Sequence, residues 1–74
     1  MQFYEYKGFT IYPSPQFADR SGIWRVELVV KYANLYKKYS TDDVYFTKGE
    51  AVFHSIRYGR ELIDNGTVLL KEAV

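Results

Sequence analysis

The segment IWRVELVVKY, Ile23–Tyr32, decides the fold because its side chains alternate in character along the chain. Every second position is apolar or aromatic: Trp24, Val26, Leu28, Val30 and Tyr32. The positions between them mix charged and apolar side chains: Ile23, Arg25, Glu27, Val29 and Lys31. A two-residue period is typical of a β-strand with one face in the core and one wetter face. The segment therefore predicts a strand whose even-numbered side chains enter the core, with Trp24 beneath a helix near Ile56.

The sequence before this strand predicts one strand followed by a loop. Residues 3–12, FYEYKGFTIY, are rich in the aromatic and β-branched side chains that favour strands. The apolar alternation changes at Gly8, so a bulge or a tight turn is expected at Lys7-Gly8. Pro13 and Pro15 have no backbone N–H to donate, so strand pairing is expected to stop there and a loop to continue to the central strand.

A third strand is expected at residues 35–41, after a turn at Ala33-Asn34. Both alternating faces of this segment carry a lysine, Lys37 on one and Lys38 on the other. Lysine commonly protects the edge of a sheet against unwanted pairing, whereas a central strand disfavours it. The segment therefore predicts an edge strand whose lysines stay in solvent.

A turn and a short fourth strand are expected next. The adjacent carboxylates of Asp42-Asp43 predict the turn, and Val44-Tyr45-Phe46 predicts the strand. Two neighbouring carboxylates could also act as an acid–base pair. Because aspartates are common in turns for structural reasons, the plain turn is the favoured interpretation.

A helix is predicted to begin at a capping box, Thr47-Lys48-Gly49-Glu50, in which the Thr47 hydroxyl accepts the Glu50 N–H and the Glu50 carboxylate reaches back to Thr47. One side of this helix has the apolar or small residues expected to face the sheet: Ala51, Val52, Ser55, Ile56, Gly59, Leu62 and Ile63. Asn65-Gly66 is expected to end the helix, because glycine permits a left-handed cap. Residues 67–74 could add a short strand, pack on the rim of the sheet or fray.

The predicted order, β-β-β-(β)-α, describes a single α+β domain over residues 1–74. Its antiparallel sheet has three to four strands, and the one C-terminal helix packs on one face of that sheet. The other face then stays without a helix. This architecture determines which side chains are free to contact a partner.

Composition restricts the functions open to the chain. The 74 residues include no cysteine, which excludes disulfides and thiolate metal sites. Ten basic and nine acidic residues give a net charge of +1, whereas a dedicated nucleic-acid-binding domain is usually strongly basic. The first residues show no signal-peptide pattern, and no apolar run is long enough to span a bilayer. A soluble cytoplasmic protein is the expectation.

No constellation of residues predicts catalysis. The only histidine, His54, is expected on the solvent side of the helix, where it forms neither a zinc site nor a nucleophile-activating pair. Glu61 and Asp64 are expected to pair with Arg57 and Arg60, four residues earlier on the helix. The sequence predicts a protein that is not an enzyme and that has no cofactor, metal or small-molecule substrate.

The helix-free face of the sheet is the predicted interaction surface. On the central strand it presents Ile23, Arg25, Glu27, Val29 and Lys31. Apolar and aromatic groups mixed with charge resemble the composition of a protein interface. This interpretation predicts a protein partner or a second copy of the chain, with Phe53 as a further exposed apolar group on the helix. The other interpretation is that the alternating charges pair across strands in water.

A weak nucleic-acid-binding module is the alternative function. Together with Lys31, a candidate patch would contain Lys37, Lys38, Tyr36, Tyr39, Arg57 and Arg60. Aromatic rings can stack on bases while basic side chains hold phosphates. The hypothesis requires these side chains to share one exposed face, although neighbouring residues of a strand point in opposite directions.

Four ordered segments, YKGFTI, GIWRVEL, YFTKGEA and GRELID, cover most of the chain between Tyr6 and Asp64. They resemble a group of small bacterial proteins with the pattern Tyr-Lys-Gly-aromatic, Gly-x-Trp, Phe-x-Thr-x-x-Glu-Ala and Gly-Arg-x-x-Ile-Asp. The resemblance implies a βββα fold. It implies no activity, because none is established for the group.

Two other families share the element order more loosely. The double-stranded-RNA-binding domain has a further helix before its sheet and opens its last helix with Ser-Lys-Lys-x-Ala-Lys to hold phosphates. Here positions 47–52 read Thr-Lys-Gly-Glu-Ala-Val, with one lysine and a glutamate. Antitoxin domains similar to HicB carry a βββα unit whose helix begins with Thr-x-x-Glu-Ala, a pattern that largely reflects a capping box.

Overall fold

A computed structural model of the protein describes residues 2–18 and 21–68. Within these residues five antiparallel strands and one helix follow one another: β1 Tyr4–Tyr6, β2 Phe9–Pro13, β3 Gln16–Ala18, β4 Ile23–Tyr32, β5 Leu35–Tyr45 and α1 Lys48–Asp64. The predicted α+β class, with an antiparallel sheet and one C-terminal helix, is confirmed. The sheet has five strands where three to four were predicted.

Strand β4 is the centre of the sheet. On one side it pairs first with β3 and then with β2, so that Trp24 lies opposite Phe17 and Val30 lies opposite Ile11. On the other side it pairs along nearly its whole length with β5, and β1 lies outside β2. Among the described residues β5 pairs with β4 alone, which places its lysines at an edge as predicted.

The turn at Lys7-Gly8 divides the predicted first strand into β1 and β2. Lys7 has φ of 50° and Gly8 has φ of 84°. Two successive residues with positive φ form the type of two-residue turn that matches the twist of a β-hairpin. The tight turn, rather than the bulge, is therefore the correct alternative.

The prediction that pairing stops at the prolines is wrong. Pro13 still lies opposite Leu28, and the Ser14 N–H donates to the carbonyl of Glu27 at 2.8 Å. Strand β3 then resumes the pairing two residues later. Each proline removes only its own donor, so Ser14 between them keeps the chain attached to the sheet.

The predicted turn at Asp42-Asp43 is also wrong, because β5 runs without a break to Tyr45. Ser40 lies opposite Glu27 and Val44 lies opposite Arg25, which leaves three residues of β5 facing one residue of β4. The Thr41 hydroxyl accepts the Asp43 N–H at 3.1 Å. This local hydrogen bond supplies a partner for a backbone donor that the ladder has lost, and the strand bulges instead of reversing.

The core lies between the sheet and the helix. The even-numbered residues Val26, Leu28 and Val30 of β4 are buried with Ile11 of β2, as the alternation predicted, whereas Tyr32 at the end of the strand is exposed. The buried residues of the helix are those at closest approach to the sheet: Ala51, Ser55, Gly59, Leu62 and Ile63. Small side chains in this stripe let the helix lie directly on the strands.

Trp24 does not lie beneath the helix near Ile56. Its side chain is half-buried beside Phe17, with ring centroids 4.9 Å apart. Lys48 Nζ, at the first turn of the helix, is 5.8 Å from the centroid of the Trp24 ring. Trp24 is near the start of β4, so it reaches only the end of the helix and lies outside the central core.

Both ends of the helix have the predicted caps. The Glu50 N–H donates to Thr47 Oγ1 at 3.1 Å, and that hydroxyl lies 3.1 Å from Glu50 Oε1. At the other end Gly66 has φ of 74°, and its N–H donates to the carbonyl of Ile63 at 3.0 Å. Val68 is buried, and the rest of the predicted tail, residues 69–74, lies outside the described residues.

Replacing Thr47 with alanine should lower the free energy of unfolding by about 1 kcal/mol, because the Glu50 N–H loses its acceptor. Urea denaturation followed by circular dichroism measures the loss. Thr47→Ser is the matched control, since it keeps a hydroxyl at the same position and should remain within a few tenths of the wild-type value. Equal losses in both variants would show that the hydroxyl is not the stabilising group.

Candidate interaction surface

The side of the sheet opposite the helix forms one continuous surface, here named the open sheet face. Val29 lies at its centre, with Tyr12 of β2 on one side and Lys38 of β5 on the other. Residues directly opposite on antiparallel strands project to the same side of the sheet. The open sheet face therefore includes the five predicted residues of β4 and, among their cross-strand neighbours, Tyr12, Tyr36 and Lys38; the β4 residues are Ile23, Arg25, Glu27, Val29 and Lys31.

The middle of the open sheet face is apolar and aromatic. Tyr12, Val29 and Tyr36 line a shallow depression of about 400 Å³ together with Pro13 and Ser14. The Tyr36 side chain is 62% exposed. Phe3 extends the aromatic row, with its ring centroid 6.0 Å from that of Tyr12. Large exposed rings of this kind supply most of the contact energy when an interface forms.

Charged side chains flank this apolar centre. Glu27 is half-buried, and its Oε1 lies 3.5 Å from Lys38 Nζ without accepting a hydrogen bond from any described residue. Lys31 lies against the ring of Tyr36, with Nζ 5.7 Å from the ring centroid. No carboxylate of the described residues forms an ion pair with Lys31. The face thus has an incompletely satisfied anion on one side of Val29 and a cation available for pairing on the other.

The residues of the candidate nucleic-acid patch do not share one surface. Lys38 and Tyr36 lie opposite Val29 and Lys31 on the open sheet face, whereas Lys37 and Tyr39 lie opposite Val30 and Leu28 on the helix side. Arg57 and Arg60 are exposed on α1, in the other layer of the fold. The expectation of one basic and aromatic platform is therefore corrected: the six residues divide among three surfaces because a strand alternates its side chains.

The two helical arginines have different partners. Arg57 Nε lies 3.7 Å from Glu61 Oε2, which confirms the predicted pair. Arg60 instead lies over the ring of Tyr6, with its guanidinium carbon 5.2 Å from the ring centroid. The carboxylate predicted to pair with Arg60 is held by the β1–β2 hairpin.

That carboxylate, Asp64, joins the end of the helix to the first hairpin. Tyr6 Oη donates to its two oxygens at 2.9 and 3.0 Å, and Lys7 Nζ donates to Oδ1 at 2.8 Å. The hydrogen bond from Lys7 is the largest cause that lowers the pKa of Asp64, followed by the one from Tyr6. The same contact raises the pKa of Lys7. Residues far apart in sequence form this cluster, so local pairing rules could not predict it.

Asp64→Asn should make the protein less stable near neutral pH. It should also weaken the dependence of the free energy of unfolding on pH in the acid range. The folded-state pKa of Asp64 lies below the unfolded value of about 3.9. The Asp64 carboxylate therefore stabilises the fold above that pH, and this stabilisation is lost as the pH falls through the folded-state pKa. Urea midpoints of wild type and variant should therefore converge as the pH is lowered.

Lys7→Gln, which removes the partner, should reduce the same pH dependence. Because the folded pKa of Lys7 is raised, its own contribution is present below about 10.4 and is lost as the pH rises through the folded value. If the wild-type and Asp64→Asn curves stayed parallel down to strongly acid pH, this ion pair would make no contribution to stability.

A second apolar surface lies between β1 and the helix, and the sequence predicted only its helical part. Phe53 is 63% exposed, in agreement with the prediction. It faces a groove of about 450 Å³ whose other lining residues are Tyr4, Ile56, Arg57, Arg60, Glu61 and Asp64. Tyr4 joins this groove because β1 pairs with β2 next to the helix. Such a long-range neighbour leaves no periodic signal in the sequence.

His54 is not on the solvent side of the helix. Its ring stacks on Tyr45 of β5, with centroids 4.3 Å apart and planes 2° apart, and meets the edge of Phe53 at 5.1 Å. The bulge in β5 leaves Tyr45 opposite Trp24, on the helix side, which brings its ring up to His54. Helical angles alone could not indicate this contact. An aromatic stack explains the half-burial of His54 without a catalytic role.

The described residues contain no cluster of three histidine or carboxylate side chains that could hold a metal ion. Within that same part of the chain, no helix has both the length and the apolar character needed to cross a bilayer. In comparisons with protein-family models, curated proteins and solved structures, no significant match was found. The resemblance to the small bacterial βββα group therefore stays a prediction.

Proposed function

We propose that this protein is a non-catalytic, cytoplasmic interaction module that binds another protein chain through the open sheet face. The observation that carries the proposal is the group formed by the exposed Tyr36 and the half-buried Tyr12 and Val29, which is flanked by charges of both signs. A helix covers the opposite side of the same strands. A domain of this size gains more than a large one from burying a residual apolar surface.

Charge favours a protein partner over a nucleic acid. A surface that holds phosphates carries a clear excess of lysine and arginine. On the open sheet face Lys38 is already paired with the carboxylate of Glu27, and the two other cations, Arg25 and Lys31, lie six residues apart on β4. Mixed charges around an aromatic centre are typical of protein interfaces.

Photo-crosslinking tests the proposal. A photoreactive phenylalanine analogue replaces Tyr36 on the open sheet face, and in matched controls it replaces Phe46 or Phe53, aromatic positions elsewhere that are at least as exposed. In the cells that produce the protein, adducts with protein should form at position 36 and be much weaker at the two controls. Uniform labelling at all three positions, or adducts with nucleic acid alone at position 36, would overturn the proposal.

A further inference from the structure

The open sheet face is self-complementary about Val29. Glu27 and Lys31 lie on the same strand two residues to either side of Val29, which at the rise of a β-strand places each about 7 Å from it. The two charges are opposite in sign. Lys31 has no ion-pair partner among the described residues, and Glu27 Oε1 is buried without a hydrogen bond.

We infer that the occupant of the open sheet face is a second copy of this chain, packed face to face about a two-fold axis that passes over Val29. The inference rests on the proposed function and names its partner. The axis lies in the plane of contact and runs across the strands, along the row that holds Tyr12, Val29 and Lys38. A closed dimer uses the same surface of both copies, so each contact occurs twice.

This axis reverses the strand direction of the second copy. Glu27 of each copy then lies over Lys31 of the other, and two ion pairs form at once. Val29 meets its own copy at the centre, and Tyr12 does so beside it. Two sheets that pack in this way lie about 10 Å apart, and their side chains fill the space between them.

Lys38 lies on the same row and would approach its own copy, but its side chain turns aside. Its Nζ lies 3.5 Å from Glu27 Oε1, and the Lys38 side chain is 69% exposed at the edge of the sheet. In the dimer each Glu27 carboxylate therefore lies between Lys38 of its own subunit and Lys31 of the other copy. This arrangement supplies the donors that Glu27 lacks in the single chain.

The outline of the molecule leaves room for a small dimer interface. The molecule measures 40 Å by 22 Å along its two longest axes, which allows a contact of several hundred Å² for each copy. A standard interface buries about 800 Å² for each partner. An aromatic centre with two symmetric ion pairs fits a dimer of moderate affinity, since area alone does not set affinity.

Analytical ultracentrifugation of the whole chain with reversed charges tests the geometry. Wild type should reach a monomer–dimer equilibrium at tens of micromolar. In a dimer of Glu27→Lys alone, or of Lys31→Glu alone, like charges would meet at both cross-pairs. Each variant alone should therefore dimerise at least about tenfold more weakly than the wild type. An equimolar mixture of the two variants should associate again as a heterodimer, because both cross-pairs then carry opposite charges.

Two controls accompany this measurement. Glu61→Lys reverses an exposed charge on the helix and should leave the wild-type equilibrium unchanged, and circular dichroism checks that each variant keeps its fold. A wild type that stays monomeric at hundreds of micromolar, or a mixture no better associated than either variant, would overturn the dimer. If crosslinking at position 36 then captured a different protein, the proposed function would stand. If no protein adduct formed there either, both would fail.

Discussion

Replacing Leu28 with alanine should lower the free energy of unfolding by about 2–5 kcal/mol, the range for truncating a buried leucine. Leu28 has no exposed surface and lies in the core between the sheet and the helix. Its Cδ1 lies directly beneath Gly59, where the helix comes closest to the sheet. The cavity would therefore open at the main contact between the two layers, where little can collapse to fill it.

Leu35→Ala is the matched control for this prediction. It makes the same chemical change in the neighbouring strand β5, but Leu35 is 44% exposed. We expect a change within about 0.5 kcal/mol there, as for most surface substitutions. A domain of this length has a total stability of roughly 4–11 kcal/mol, so Leu28→Ala should be partly unfolded at modest urea concentrations. Equal urea midpoints for Leu28→Ala and Leu35→Ala would show that Leu28 is not part of the stabilising core.

The elements that the sequence predicted correctly are those with a local cause. Strand β4 has ten residues of which every second one is apolar or aromatic, and its predicted limits agree with the structure. The helix follows its cap at Thr47 and ends just before Gly66, because each of these residues satisfies backbone groups within one turn. Local hydrogen bonds and local periodicity act within a few residues, so the sequence displays them directly.

The errors arose where local signals were short or ambiguous. Strand β3 has only three residues, too few for a period to be visible. The pair Asp42-Asp43 has turn chemistry, yet the Thr41 hydroxyl and the continued pairing of Val44 with Arg25 keep these residues inside β5 as a bulge. In both places the central strand supplied pairing partners that a single segment of sequence does not reveal.

The candidate site was predictable along one strand and not across strands. Alternation identified the five residues of β4 on the open sheet face. Whether Tyr36 or Tyr39 lies beside these residues on the same face depends on the register of β5. The turn at Ala33-Asn34 determines that register. Tyr12 was placed only by the pairing of β2. The surface available to a partner depends on which residues are neighbours across strands. The sequence alone could therefore identify the open sheet face but not the residues at its centre.

Gly59→Val should destabilise the protein by about 3 kcal/mol, at the upper end of the cost of adding bulk to a packed core. A β-carbon at Gly59 would lie 2.9 Å from Ile11 Cδ1, closer than β-carbons approach other atoms in folded proteins, and 3.0 Å from Leu28 Cδ1, closer than all but a few do. Both neighbours are fully buried, so neither side chain can move into solvent. Valine adds two more methyl groups, and the helix would have to lift from the sheet to admit them.

Gly49→Val separates this contact from the general effect of valine in a helix. Gly49 lies in the first turn of the same helix, and a β-carbon there would meet no atom within 4 Å. Valine and glycine differ in helix propensity by no more than about 0.5 kcal/mol, so Gly49→Val should be nearly neutral. The difference between the two urea midpoints then measures the contact with the sheet.

Ile11→Val removes the methyl group closest to Gly59. It should lower the free energy of unfolding less in the Gly59→Val background than in the wild type, because the new valine side chain and that methyl group would occupy the same space. Similar stabilities for the two glycine variants would mean that the helix can shift over the sheet without loss, and that Gly59 does not determine how closely the two layers pack.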